Sequence, residues 1–272
     1  MLSKRNKLNR LIFVIFIIWL FVTMVLIGVL KNNLDSSDLF PENNKKAMAW
    51  AELLANIEVR RIERYKLDKL FDSQIQTLKS RNVPKQIAAM LENQRETIIA
   101  RALDIHFKNG HIPFLPIIPK ASISIDTQMR MVRNGKKTGR KVSHSGALIM
   151  VTDMFKTPER PYYIFDIEDG TATLGKNPLD AQNLINEQGR RGLTEVEVIG
   201  LAIHTDVLTR QTRHYLWAVG SRADEFADGI QDGVPSLDIV SGKPELCWIE
   251  YVSTASYRGS PSSSKEFVLT RR

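Results

Sequence analysis

Residues 11–30 read LIFVIFIIWLFVTMVLIGVL, twenty positions with no charge, one Thr and one Gly. At about 1.5 Å per residue a helical run of this length spans about 30 Å, the thickness of a bilayer's hydrocarbon core. Backbone amides at that depth find no water, so a single crossing segment has to satisfy them as a helix. A cleavable signal peptide is the competing account, but its apolar stretch is typically about 7–15 residues long and ends at small residues. Here Gly28-Val29-Leu30-Lys31 offers one small residue. The run therefore predicts an uncleaved signal-anchor, a single-pass transmembrane helix over 11–30.

Orientation follows from the basic residues at its two ends. Lys4, Arg5, Lys7 and Arg10 precede the run, whereas Lys31, Lys45 and Lys46 follow it mixed with Asp35, Asp38 and Glu42. This places residues 1–10 in the cytoplasm and the C-terminal domain outside it. The same four cations supply half of the net charge of +8, leaving 34 basic against 30 acidic side chains in the rest of the chain. A basic balance that belongs to membrane topology argues against nucleic acid as the partner. The one cysteine, Cys247, allows no internal disulfide, so the fold rests on its own core.

Residues 31–44 are polar and turn-rich, with Pro41, and read as a linker. From 45 to 109 the chain reads as a helical hairpin or stalk. A stretch to Ser80 lacks Gly and Pro, Arg81-Asn82-Val83-Pro84 breaks it, and a second helix is predicted to run to about Phe107 before Asn109-Gly110. Its best heptad row, Trp50, Ile57, Arg64, Phe71 and Leu78, is interrupted by an arginine. Such a helix either packs on its own domain or serves a protein partner or homo-oligomer.

Residues 110–272 change texture to short apolar runs with turn punctuation. Strands are predicted over Phe114–Ile118, Ser122–Ile125, Ala147–Thr152, Tyr162–Ile167, Tyr215–Val219, Ser236–Ile239 and Leu246–Tyr251, with Phe267–Leu269 as a further edge. Two short helices interrupt them. One opens at Asn177-Pro178, the other at Thr194 with Glu197 at capping-box separation and one buried face through Ile199, Gly200 and Ile203. The expectation is an α+β domain around a mixed or antiparallel sheet. Residues 259–265 (GSPSSSK) read as flexible.

Few segments point to chemistry. Arg130, Arg133, Lys136, Lys137, Arg140 and Lys141 fall within twelve positions with no acid, around Asn134-Gly135 and Gly139. This reads as an exposed basic loop or hairpin tip, either simply solvated or meeting an anionic surface. The order of Gly, Lys and Thr does not make a phosphate-cradling loop. The histidines, at 106, 111, 144, 204 and 214, show no metal-ligand spacing, and no cofactor is implied. Asp166, Glu168 and Asp169 end a predicted strand, where alternation puts Asp166 and Glu168 on one side. Cys247 reads as core, and Gly189-Arg190-Arg191-Gly192 as a basic linker between the two helices.

The order Ile112-Pro-Phe-Leu-Pro, Tyr162-Tyr-Ile-Phe-Asp, then Gly189-Arg-Arg-Gly-Leu-Thr-Glu-Val-Glu-Val-Ile-Gly-Leu-Ala-Ile-His resembles an uncharacterised bacterial domain family of no assigned activity, over residues 110–255. The resemblance carries no catalytic residue across. The sequence thus leads to a membrane-anchored accessory or binding protein. A membrane-anchored hydrolase using scattered histidines and carboxylates is the first alternative. Binding of nucleic acid or anionic lipid through residues 130–141 is the second.

Overall fold

The computed structural model describes residues 41–105, 107–142, 149–210, 214–225 and 233–269. It is an α+β protein, with a long N-terminal helix followed by mixed sheets. The predicted membrane span lies outside the described residues, and among these no helix is long and apolar enough to cross a membrane.

The chain divides into two units, Met1–Val59 and Arg60–Arg272. The described part of the first is the opening of helix α1 (Pro41–Ser80), where Trp50, Leu53, Leu54 and Ile57 are exposed. In the second unit α1 becomes amphipathic in practice. Leu67, Phe71, Ile75 and Leu78, three or four apart and so on one helical face, are all buried. Phe71 stacks on Tyr163 at 5.9 Å and meets Phe114 at 6.1 Å. Gln74, on the same side, donates its Nε2 to the Phe114 carbonyl at 2.8 Å. The heptad positions Phe71 and Leu78 are therefore spent on the chain's own core.

Asn82, in the left-handed region at φ 59°, turns the chain, and the Val83 N–H returns to the Leu78 carbonyl. Two helices come next, α2 (Lys85–Glu92) and α3 (Arg95–Asp104), where the sequence predicts one. At the break the Gln94 N–H bonds the carbonyl of Leu91, three residues back, and the helical ladder stops. Lys79–Glu92, Asp68–Arg95 and Arg64–Glu96 ion pairs show these helices running back along α1. Exposed pairs of this kind contribute little, and apolar contact holds the helices. Leu91, Ile98 and Ile99 are fully buried.

Two sheets complete the unit. In the first, β6 (Tyr162–Ile167) lies between β1 (Ile112–Ile117) and β14 (Phe267–Leu269), all antiparallel. Residues 162–165 are buried on both faces, where alternation predicts a half-buried strand. The second, seven-stranded sheet centres on the hairpin of β10 (Gly233–Val240) and β11 (Lys243–Glu250). On the β11 side β4 (Arg140–Lys141) joins in parallel. On the β10 side come β8 (Tyr215–Trp217), then β12 (Arg258–Gly259) in parallel, while β9 (Ser221–Glu225) links β10 to β5 (Ile149–Asp153). Two small ribbons pair β2 (Arg133–Asn134) with β3 (Lys137–Thr138), and β7 (Arg191–Gly192) with β13 (Ser262–Ser263).

Three local expectations are corrected. Ser122–Ile125 is no strand: Ser124 accepts from the Thr127 N–H and opens a short helix, α4 (Ile125–Met129). Helix α5 (Pro178–Glu187) opens as predicted on Asn177, whose side chain accepts from the Asp180 N–H at 2.8 Å. The next helix, α6 (Glu195–His204), also starts at its predicted cap, but it buries every residue from Glu195 to Ile203 instead of one face. It packs against β1, α4 and β10 together, so no side is left for water. At Gly200 an added Cβ would lie 2.8 Å from Ile117 Cδ1, which shows how closely α6 approaches β1. The serine-rich tail is the third correction. Ser260, Ser262 and Ser263 are buried, their backbone bonded to Thr173, Glu168 and Arg191. Polar composition marks a flexible segment only where no sheet edge takes up its amides.

Candidate functional site

The six basic residues are all exposed, and three of them sit on a hairpin. Arg130 follows α4 and is exposed. Arg133, Lys136 and Lys137 lie on the β2–β3 ribbon around Gly135, whose φ of 58° suits the turn. That ribbon is tied to the β10–β11 turn: Lys137 Nζ donates to the Ser241 carbonyl at 2.8 Å and Asn134 Nδ2 to that of Gly242 at 3.1 Å. Arg140 is paired with Glu245 at 2.5 Å. Lys141 lines a cavity of about 10 Å³ with Glu195, Cys247 and Trp248, room for roughly one water.

This small cavity holds a group that sequence reasoning missed. Glu195 is the first residue of α6 and almost fully buried, and burial lifts its carboxyl to about 7 despite Lys141 and Lys120 nearby. Its backbone N–H donates to Ser221 Oγ at 2.9 Å, and that hydroxyl donates to Asp153 at 2.7 Å. Cys247 is held as a thiol: burial pushes it up to about 12, and Sγ donates weakly to the Ser236 carbonyl at 3.7 Å. A thiol that stays protonated is no nucleophile.

The strand-end carboxylates serve three separate purposes. Asp166 sits in the left-handed region, φ 53°, which breaks the alternation that would have matched it with Glu168. Its carboxylate takes His111 Nδ1 at 2.6 Å and a guanidinium nitrogen of Arg190. Burial would raise the Asp166 carboxyl, but these two partners prevail and hold it below the usual carboxylate range. Glu168 accepts from the Gly170 and Ala172 N–H groups, and Asp169 from Thr171 and Arg210. The His111–Asp166 pair orients an imidazole as a general base would require. Among the described residues no hydroxyl or thiol is hydrogen-bonded to that imidazole.

Arg190 and Arg191, read as a linker, are both buried. Arg190 holds Asp166 and Ser262; Arg191 holds Glu197 and lies over the Phe155 ring at 4.6 Å. His204, at the end of α6, is driven down to about 3 by burial, with Arg81 beside it adding to the effect. His214 is buried with Nε2 at 2.7 Å from the Asp169 carbonyl. His106 and His144 lie outside the described residues, as does the rest of 143–148. Among the described residues no three His, Cys, Asp or Glu side chains are grouped to hold a metal ion.

A second feature is a mostly apolar cleft. A cleft of about 360 Å³ opens between α1, the end of α3 and β1, lined by Leu67, Ala102, Leu103, Ile105, Phe107 and Pro113, with Glu63 and Lys66 also contributing. No member of the His111–Asp166 pair and no residue of the basic segment lines it. Sequence reasoning missed it because its walls come from segments far apart in the chain.

Residues 69–259 match the model of a family of unknown function, DUF5701, and the chain belongs to that family. The match spans α1's buried half through β12, the same unit whose Tyr162-Tyr-Ile-Phe-Asp and Gly189–His204 stretches carry the resemblance seen in the sequence. No curated protein and no solved structure matches the chain significantly.

Proposed function

We propose that this chain is a single-pass, membrane-anchored binding protein whose α+β domain stands outside the cytoplasm and takes an apolar segment of another envelope protein in the cleft beside α1. The observation that carries this reading is the cleft itself: about 360 Å³, lined mainly by apolar side chains. Binding sites for apolar segments are concave and mostly apolar, with a few polar groups to orient the guest. Glu63 and Lys66 supply those groups. The apolar run at 11–30 and the cations before it support the anchor and its orientation.

The test has two arms in cells. A reporter active only outside the cytoplasm, fused after Arg272, is expected to be active; activity of a cytoplasmic reporter alone would reverse the orientation. A photo-crosslinking residue at Leu103 is expected to trap one discrete partner. Adding Lys66→Glu and Phe107→Ser, which invert a cleft charge and remove part of its apolar wall at a half-buried position, should abolish the adduct while the chain remains folded. An adduct that survives both changes would exclude the cleft as the binding surface.

A further inference from the structure

Strands β2 and β3 form a hairpin that takes no part in the apolar cleft. Its tip stands clear of the described fold: a Cβ added at Gly135 would meet nothing within 4 Å. Its base is fixed. Lys137 Nζ donates to the Ser241 carbonyl at 2.8 Å and Asn134 Nδ2 to the Gly242 carbonyl at 3.1 Å, so the hairpin and the β10–β11 turn present one surface. Strand β4 extends that surface along β11, where Arg140 lies opposite Glu245.

Contacts sort the basic residues of this surface into two sets. Arg140 is paired with Glu245 at 2.5 Å, Lys137 holds the turn, and Lys141 lines the small cavity beside Glu195. Arg133 and Lys136, on the hairpin, are exposed and form no ion pair among the described residues, and the same holds for Arg130 just before β2. Lys243, at the start of β11, is a further exposed cation without an ion pair. Its cross-strand neighbour is Val240, which is 45% exposed. Cations of one sign on a scaffold that holds them in place add their potentials, and a partner of opposite charge is drawn to that face.

We infer that this hairpin-and-turn surface docks onto an anionic phospholipid membrane, with its unpaired cations on headgroup phosphates and Val240 against the acyl boundary. Membrane surfaces reward both features at once, because cations meet the headgroup charge and an apolar side chain reaches the layer beneath. A projecting tip suits a flat surface. Nucleic acid fits less well: positions 130–141 hold no aromatic side chain on which bases could stack, and a phosphate backbone offers no apolar layer to Val240. The choice of lipid rests on the membrane-anchored reading, in which a tethered face needs little affinity of its own. The surface itself does not rest on it.

The experiment places the full chain in phosphatidylcholine nanodiscs and mixes it at low salt with vesicles of phosphatidylcholine or of phosphatidylglycerol, or with duplex DNA at matched phosphate concentration. Wild type should bind the phosphatidylglycerol vesicles, ignore the phosphatidylcholine ones and dissociate as salt is raised. Arg133→Gln combined with Lys136→Gln should weaken vesicle binding about thirtyfold, roughly fivefold for each cation removed. Urea unfolding of that variant should match wild type, since both side chains are exposed. Lys156→Gln with Lys176→Gln removes the same charge from other exposed positions and should stay within about twofold of wild type. Val240→Ser should weaken vesicle binding about threefold. A chain that does not enter the discs would remove the anchor alone, and the vesicle measurement is then made on the free chain. The docking surface is overturned by absent binding to phosphatidylglycerol, by equal binding of the hairpin variant, or by an equal loss in the control pair. Tighter binding to duplex DNA than to vesicles, or vesicle binding indifferent to Val240→Ser, would overturn lipid as the partner.

Discussion

The fully buried carboxylate of Glu197 receives both terminal nitrogens of Arg191, at 2.6 and 2.8 Å. It also accepts from the Tyr162 hydroxyl at 3.0 Å and from the Thr194 N–H at 2.9 Å, so its oxygens share four donors. The same side chain therefore caps α6, anchors β7 and fixes β6.

Breaking that pair strands a charge in the core. Arg191→Met is expected to lower stability by about 3–5 kcal/mol, because Glu197 remains without its cation. Pairing it with Glu197→Leu should cost clearly less than the sum of the two single changes. Urea unfolding of the four proteins measures this; strict additivity would show that the two residues act independently.

Helix α1 should divide into two energetically different halves. Phe71→Ala removes a ring fully buried against Phe114 and Tyr163 and should cost about 3–5 kcal/mol. Leu54→Glu, 62% exposed, should stay within about 0.5 kcal/mol. Comparable losses at both positions would mean that the early turns of α1 are also covered. A charge at Phe71 consequently tests folding and says nothing of a coiled coil.

Glu195, buried, and His204, partly buried, should give opposite pH dependences. His204 falls from 6.5 to about 3 on folding, chiefly through burial. The unfolded chain takes up that proton below about pH 6.5 and the folded chain resists it, so this contribution is lost as pH falls toward about 3. Glu195 rises from 4.5 to about 7, again chiefly through burial. Its contribution is present below about pH 4.5 and lost as pH rises through about 7. Glu195→Gln should therefore raise stability at about pH 8, by on the order of 3 kcal/mol at most, and change little at about pH 4. His204→Gln should flatten the acid-side decline. Stability measured across this range in the two variants checks both signs.

Gly259 and Gly170 press backbone against backbone. A Cβ at Gly259 would sit 2.1 Å from the Gly170 carbonyl oxygen and 2.8 Å from its carbon. Gly170 is itself at φ 98° and cannot easily yield. Gly259→Ala should cost more than about 2 kcal/mol, by forcing β12 away from the turn after β6. A neutral result in chemical denaturation would show that the two segments can separate.

Sequence alone settles what local bonds decide. The absence of Gly and Pro up to Ser80 foretells α1, Asn177-Pro178 and Thr194–Glu197 foretell the starts of α5 and α6, and apolar runs foretell β1, β6, β10 and β11. Each such signal closes within about four residues, so composition and spacing suffice. Only folding assigns the partners of the charged and polar groups. Arg190 meets Ser262 across 72 positions, His111 meets Asp166 across 55, and Ser260 meets Thr173 across 87. An arginine bound for a buried carboxylate, such as Arg191, and one left exposed, such as Arg130, look alike in sequence. Burial assigns Arg191 to Glu197, because the fold fixes which charges share a low-dielectric space.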